Sequence, residues 1–151
     1  MTTFLLDVNV LIALVDPSHI QHDPAHEWFE RIGHEAFATC PMTENGLVRI
    51  VGHPKYPNSP GPPSVVLAML VAIRRLPGHR FWPDSITLAD GQHVSAQKLS
   101  SHGRVTDAYL LALAKVHHGR LATMDQKLAV DTVPGGSAWV EFIGLPPPLG
   151  R

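Results

Sequence analysis

Apolar positions along the chain switch between short continuous runs and helical spacing. Residues 4–6 form an apolar run that stops at Asp7, the signature of a short buried strand. Residues 10–15 continue apolar as a helix, which Pro17 helps end. Asp23-Pro24 predicts a helix start, with Asp23 as N-cap and Pro24 in the first helical position. Ala25, Trp28, Phe29 and Ile32 follow at helical spacing, and Gly33 closes that helix. Residues 35–40 predict a second strand, and 42–51 a helix with Leu47, Val48 and Val51 on its apolar side. The Pro-, Ser- and Gly-rich stretch 56–63 predicts a loop. An apolar helix over 64–76, capped by Ser64, is stopped by Pro77-Gly78, and a short third strand is predicted over 80–82. Residues 83–103 show no readable period. Residues 106–118 predict a helix capped by Thr106 and ended by Gly119, apolar nearly all round and therefore buried. Strands over 121–124, ending at Asp125, and over 138–143 complete the pattern. The tail after Gly144, with Pro146 to Pro148, is expected to be extended and loosely held.

Strands alternate with helices from end to end, with no internal repeat and no linker. That order predicts one domain over 1–151, of α/β class: a three-layer α/β/α sandwich around a mostly parallel sheet. Composition agrees, since 44% hydrophobic and 17% charged residues describe a globular chain. The formal net charge of -1 and the pI near 6.8 exclude nucleic-acid binding by bulk positive charge. An RNA ligand would need local positive charge, a bound metal or a second subunit. One cysteine, Cys40, rules out an intrachain disulfide and fits a reducing, cytoplasmic compartment. The opening MTTFLLDVNVLIALVDP lacks a basic start and carries Asp7 and Asn9, so it reads as strand plus helix rather than a signal peptide. No segment approaches the roughly 18 apolar residues of a membrane helix.

In an open α/β sheet, ligands bind beyond the carboxyl ends of the strands. Asp7 and Asp125 each follow a strand, Asp107 opens a helix, and Glu44 lies in the first turn of another. The four are thus able to converge on one edge. Asp107, Glu44 and Asp125 each also have a local explanation as dipole-complementing or turn residues. Asp7, inside FLLDVNVLIALV, is costly to bury without a partner. A cluster of carboxylates is tenable when divalent cations neutralise it, and all-oxygen ligands suit Mg²⁺ or Mn²⁺ rather than zinc. Such metals activate water and clamp a phosphodiester, so no nucleophilic Ser or Cys is required.

FLLDVNVLIAL, TENGLVRIV, VTDAYLLALA and LATMDQKL, in this order, resemble the PIN-domain nucleases, and among them the VapC toxins of bacterial toxin–antitoxin pairs. The resemblance runs from Thr3 to about Phe142, and the family's acidic positions fall on Asp7, Glu44, Asp107 and Asp125. FWPDSITL followed by VTDAYLLALA looks most like the branch common in mycobacteria. The resemblance implies a PIN-like α/β/α fold and Mg²⁺-dependent endoribonuclease activity, often on structured RNA such as tRNA. It also implies a homodimer and a VapB-type antitoxin whose C-terminal segment blocks the site. Asn9 and Thr123 match the family's polar neighbours of the acidic cluster, which hydrogen-bond a carboxylate or the metal's water. Many relatives carry a further Asp after the last motif Asp; here Gln126, Lys127 and Leu128 follow, which puts a second metal ion in question.

Other signals are weaker. His19, His22 and His26 have a spacing that evokes zinc, but Pro24 interrupts them and no Cys accompanies them. Arg49, Arg74, Arg75, Arg80, Lys98 and Arg104 are the candidates for RNA-phosphate contact; Arg49, more than one turn after Glu44 on the same helix, leads them, and surface solvation accounts for most of the others. Asp84 and Asp90 lie in the unreadable stretch, where either could be an acidic outlier near the site. A phosphatase forming an aspartyl-phosphate also begins with Asp after its first strand. It needs a second Asp two residues later, where this chain has Asn9, and Asn cannot exchange a proton. A catalytically silent PIN-fold binding module and an RNA-processing nuclease without antitoxin remain as alternatives.

Overall fold

Successive residues of a strand face opposite sides of a sheet, and here both sides are covered. Among the residues that the computed structural model describes, 1–144, the sheet has five parallel strands: β1 Phe4–Leu6, β2 Phe37–Thr39, β3 His79–Phe81, β4 Arg120–Thr123 and β5 Val140–Phe142. Their spatial order is β3-β2-β1-β4-β5, with every neighbouring pair parallel. The helices are α1 Val8–Val15, α2 His22–Arg31, α3 Pro41–Val51, α4 Pro63–Arg74 and α5 Val105–Val116. Phe4, Leu6, Phe37 and Ala122 face one side, where they pack with α1 to α4. Leu5, Ala38, Leu121 and Val140 face the other, where they pack with α5 and with Ile86, Leu88, Val94 and Leu99 of the irregular 83–104 stretch. The result is the expected three-layer α/β/α sandwich. Burial of α5 on nearly all sides, from Ala108 to Ala114, follows from its central place under the sheet.

The chain runs outward from β1 to β2 and β3, then returns to lay β4 on the other side of β1. The carboxyl ends of β1 and β4 therefore flank the point where strand order reverses, which is where open α/β sheets form their binding crevice. The proposed tail beyond Gly144 lies outside the described residues.

Several boundaries differ from the sequence reading, each for a local reason. Helix α1 begins at Val8 rather than 10, because the Asp7 side chain caps it directly. Helix α2 begins at His22 after Gln21, so Asp23 is not the N-cap but a first-turn acid, and Pro24 falls where its missing N–H is still unneeded. Helix α4 begins at Pro63, so Pro62 rather than Ser64 stands in the N-cap position, without a side-chain cap bond, and the helix ends at Arg74. Helix α5 is entered through a short 3₁₀ turn, His102–Arg104, so Thr106 lies inside it and is not its cap. Strand β4 ends at Thr123, leaving Met124 between the strand and Asp125.

The link from α4 to β3 passes hard against the backbone before β2. A Cβ on Gly78 would lie 1.9 Å from the His34 carbonyl oxygen, while the Gly78 carbonyl accepts a bond from the Phe37 N–H. Gly78→Ala is expected to lower stability by about 2–4 kcal/mol. Urea unfolding should show it as a lower midpoint at unchanged slope.

Candidate active site

Asp7 is 7% exposed and sits where β1 turns directly into α1. Its Oδ1 accepts the Val8 N–H at 2.7 Å, and its Oδ2 accepts the Thr123 hydroxyl at 2.8 Å. Burial pushes its carboxyl above the usual range; Thr123 and Val8 counter this, and the charge of Asp125 adds to it. Thr123, fully buried at the end of β4, also accepts the Asn9 amide at 3.3 Å and the Asp125 N–H at 3.1 Å. One donated and two accepted bonds exhaust a hydroxyl. Asn9 Oδ1 in turn accepts the Met124 N–H at 3.2 Å. The turn after β4 is thereby clasped to the turn after β1. Both ends of the Asn9 amide serve that clasp, which gives the residue two places after Asp7 a structural task instead of a proton to exchange.

Asp125 is exposed, and its Oδ1 accepts the Lys127 N–H at 3.0 Å in a local turn. Asp107, half-buried in the first turn of α5, has its carboxyl pushed up to about 6. Burial is the main cause, followed by the charges of Asp7 and then Asp125. The three aspartates therefore feel one another's charge across the β1–β4 crevice.

Glu44 has other partners. Its Oε2 accepts the Thr39 hydroxyl at 2.7 Å and pairs with Arg74, whose guanidinium lies 4.8 Å over the ring of Phe81. Thr39 spends its one hydrogen on Glu44, so His79 Nε2, 2.7 Å from the same hydroxyl, is the donor there. Burial, then Arg74, holds the His79 imidazole below its ordinary pKa. The structure thus gathers Asp7, Asp107 and Asp125 around Asn9 and Thr123, and sets Glu44 in a neighbouring group with Thr39, His79 and Arg74. Sequence reading missed Thr39 and His79, and weighed Arg74 as a phosphate contact or a surface charge, not as a partner of Glu44. The end of β2 was the available signal for Thr39, because it borders the same sheet edge.

The remaining candidates lie apart. Arg49 is exposed and lines an open groove of about 640 Å³ with Asn45, His53 and Pro54. Asp84 is exposed, and its charge adds to the burial that raises the Cys40 and Tyr109 pKa values. Asp90 accepts the Gln92 N–H in a local turn. His19 accepts the Gln21 N–H, His22 bonds the Ala13 carbonyl, and His26 faces Glu30, so the three do not share a centre.

Among the described residues, no three His, Cys, Asp or Glu side chains already stand at ligating distance of one point. The donor set nevertheless fits a hard divalent cation. It offers only carboxylate oxygens, and burial, with mutual repulsion added, raises two of them in a way that a cation would relieve.

The fold and this acidic crevice define a class. The PIN domain profile matches residues 4–131, and the chain belongs to the PIN-domain family, in its VapC branch. It is 40% identical over 133 residues to Ribonuclease VapC44 of Mycobacterium tuberculosis, covering 88% of this chain and 93% of that protein. Ribonuclease VapC39 of the same organism is 44% identical over 127 residues, covering 84% and 91% respectively. Among solved structures, FitAcB from Neisseria gonorrhoeae superposes with a TM-score of 0.63 at 21% identity, covering 91% of this chain and 95% of that one. VapBC2 from Rickettsia felis, bound to a promoter DNA fragment, gives 0.53 at 14% identity, covering 83% and 89%. The likeness to these two structures is one of fold. No helix among the described residues is long and apolar enough to cross a membrane.

The raised Asp107 carboxyl makes a signed prediction. A carboxylate whose folded pKa is raised stabilises the metal-free chain while protonated and loses that contribution as pH rises from about 4 through about 6. Asp107→Asn should therefore stabilise the metal-free chain at neutral pH by about 1 kcal/mol, after allowing for solvent screening. Thermal unfolding in EDTA at pH 5 and pH 7.5 checks it: the gain should appear at the higher pH and shrink at the lower.

Proposed function

We propose that this chain is a Mg²⁺-dependent endoribonuclease, with Mn²⁺ able to substitute, and that it acts as the toxin of a toxin–antitoxin pair. One observation carries the reading: Asp7, Asp107 and Asp125 crowd the crevice at the strand-order reversal, with burial and mutual charge raising Asp7 and Asp107. Asp7, Asp107 and Asp125 would hold the metal, with Glu44 completing the set. When bound, a hard cation neutralises these carboxylates, lowers the pKa of water and stabilises charge on a scissile phosphate. The chain's own residues do the positioning. Thr123 and Val8 fix the rotamer of Asp7 and leave one lone-pair direction on each oxygen free. Asn9 and Thr123 hold the Asp125 turn against it. Hydrolysis by water rather than by a 2′-hydroxyl leaves 5′-phosphate and 3′-hydroxyl ends. The names of the VapC relatives support RNA as the substrate, and structured RNA such as tRNA is the finer expectation. Arg49, on the exposed side of α3, is a candidate phosphate contact.

Total cellular RNA incubated with the chain in Mg²⁺, Mn²⁺ or EDTA tests the reading. Discrete, metal-dependent cuts with 5′-phosphate ends are expected. Asp7→Asn should lose at least about 100-fold in rate, beyond what loss of a supporting residue costs, with an unchanged circular dichroism spectrum. Ends bearing a 2′,3′-cyclic phosphate would sink the mechanism. No cuts from either protein would favour a silent binding module. Cleavage that no VapB-type partner suppresses would favour RNA processing without an antitoxin.

A homodimer is the expected assembly, and α4 is its place. Leu67 and Val71, one turn apart on the solvent side of that helix, are 50% and 39% exposed, an apolar pair a lone chain would leave in water. Leu67→Glu is expected to convert a dimer into a monomer in light scattering at micromolar concentration. A dimer of unchanged mass would move the interface elsewhere.

A further inference from the structure

Glu44 stands out because its carboxylate is engaged by Thr39 and Arg74 rather than by any group of the aspartate cluster. Its Oε2 accepts from Thr39 and pairs with Arg74, and two partners fill the lone pairs of one oxygen. The arrangement is anchored at both ends. The Arg74 guanidinium rests on the Phe81 ring, and Thr39 is itself bonded by His79. The Glu44 side chain is 15% exposed and that of Arg74 38%, so the pair is only partly screened by water. A guanidinium already paired with the carboxylate offsets the negative charge that a divalent cation would need, and the two cations repel each other.

We propose that Arg74 is a positioning residue that engages the Glu44 carboxylate and competes with the metal for it. This deepens the nuclease reading above and rests on it. Arg74, at the last turn of α4, then sets how readily the fourth carboxylate joins the site. Metal occupancy becomes a contest between a cation in the crevice and a side chain of the neighbouring helix.

Mn²⁺ binding to the full chain, measured by calorimetry and by the electron paramagnetic resonance signal of free Mn²⁺, tests this without reference to cleavage. Arg74→Met, which keeps an apolar stem over Phe81, is expected to tighten Mn²⁺ about 2- to 5-fold, the range of a partly exposed ion pair. The same substitution in a Glu44→Gln background should change nothing, because the competition acts only through that carboxylate. Arg75→Met removes the same charge one residue along and should leave the affinity within error of wild type. Equal tightening in Arg75→Met, or persistence of the effect in Glu44→Gln, would overturn the proposal in favour of a general charge effect. Unchanged affinity in Arg74→Met overturns it directly. A wild-type chain that binds no Mn²⁺ overturns the metal reading itself, and this proposal falls with it.

Discussion

Everything at the functional edge depends on one buried hydrogen bond, from the Thr123 hydroxyl to the Asp7 carboxylate. A carboxylate at the end of the central strand has lost most of its water, and burial without partners costs several kcal/mol. The Val8 N–H is a local partner; Thr123 comes from the other end of the chain. Parallel pairing of Leu6 with Ala122 brings the two strand ends side by side. A slip of one residue would turn Thr123 to the opposite face and strand the carboxylate. Sheet register and site chemistry therefore constrain each other.

Charge at this edge is divided in two. Beyond β1 and β4, Asp7, Asp107 and Asp125 face each other with no basic side chain paired to them among the described residues. Beyond β2 and β3, Glu44 is compensated by Arg74 and supported by Thr39 and His79. A net charge of -1 conceals this partition. The near-neutral composition excluded bulk electrostatic binding of RNA, and the structure shows why that exclusion leaves a site intact. The local excess is negative, which suits a cation first and a polyanion only through it.

The sequence made the layers legible because both signals are local. Apolar runs of strand length alternate with helical spacing, and each apolar set turned out to face a core. Asp7 was legible for the same reason, since a charge inside an apolar run has few places to go. Helix starts were less so: Asp23 and Ser64 are good caps by residue type, yet Gln21 and Pro62 occupy those positions. Stretch 83–103 gave no period because its only helical pieces are short 3₁₀ turns and it packs through isolated residues such as Val94 and Leu99.

The sequence by itself determined the alternating α/β order, the two-sided burial of the sheet, and the acidic residues at strand ends and helix starts. Those follow from periodicity and from the cost of burying charge, which any segment carries with it. Tertiary structure alone decided which carboxylates meet. Strand order places β4 rather than β2 beside the reversal, so Asp125 joins Asp7 through Thr123. The position of α4 against α3 gives Glu44 an arginine instead. Both choices depend on contacts between residues far apart in the chain, such as 7 with 123 and 44 with 74, and no local pattern encodes such a distance.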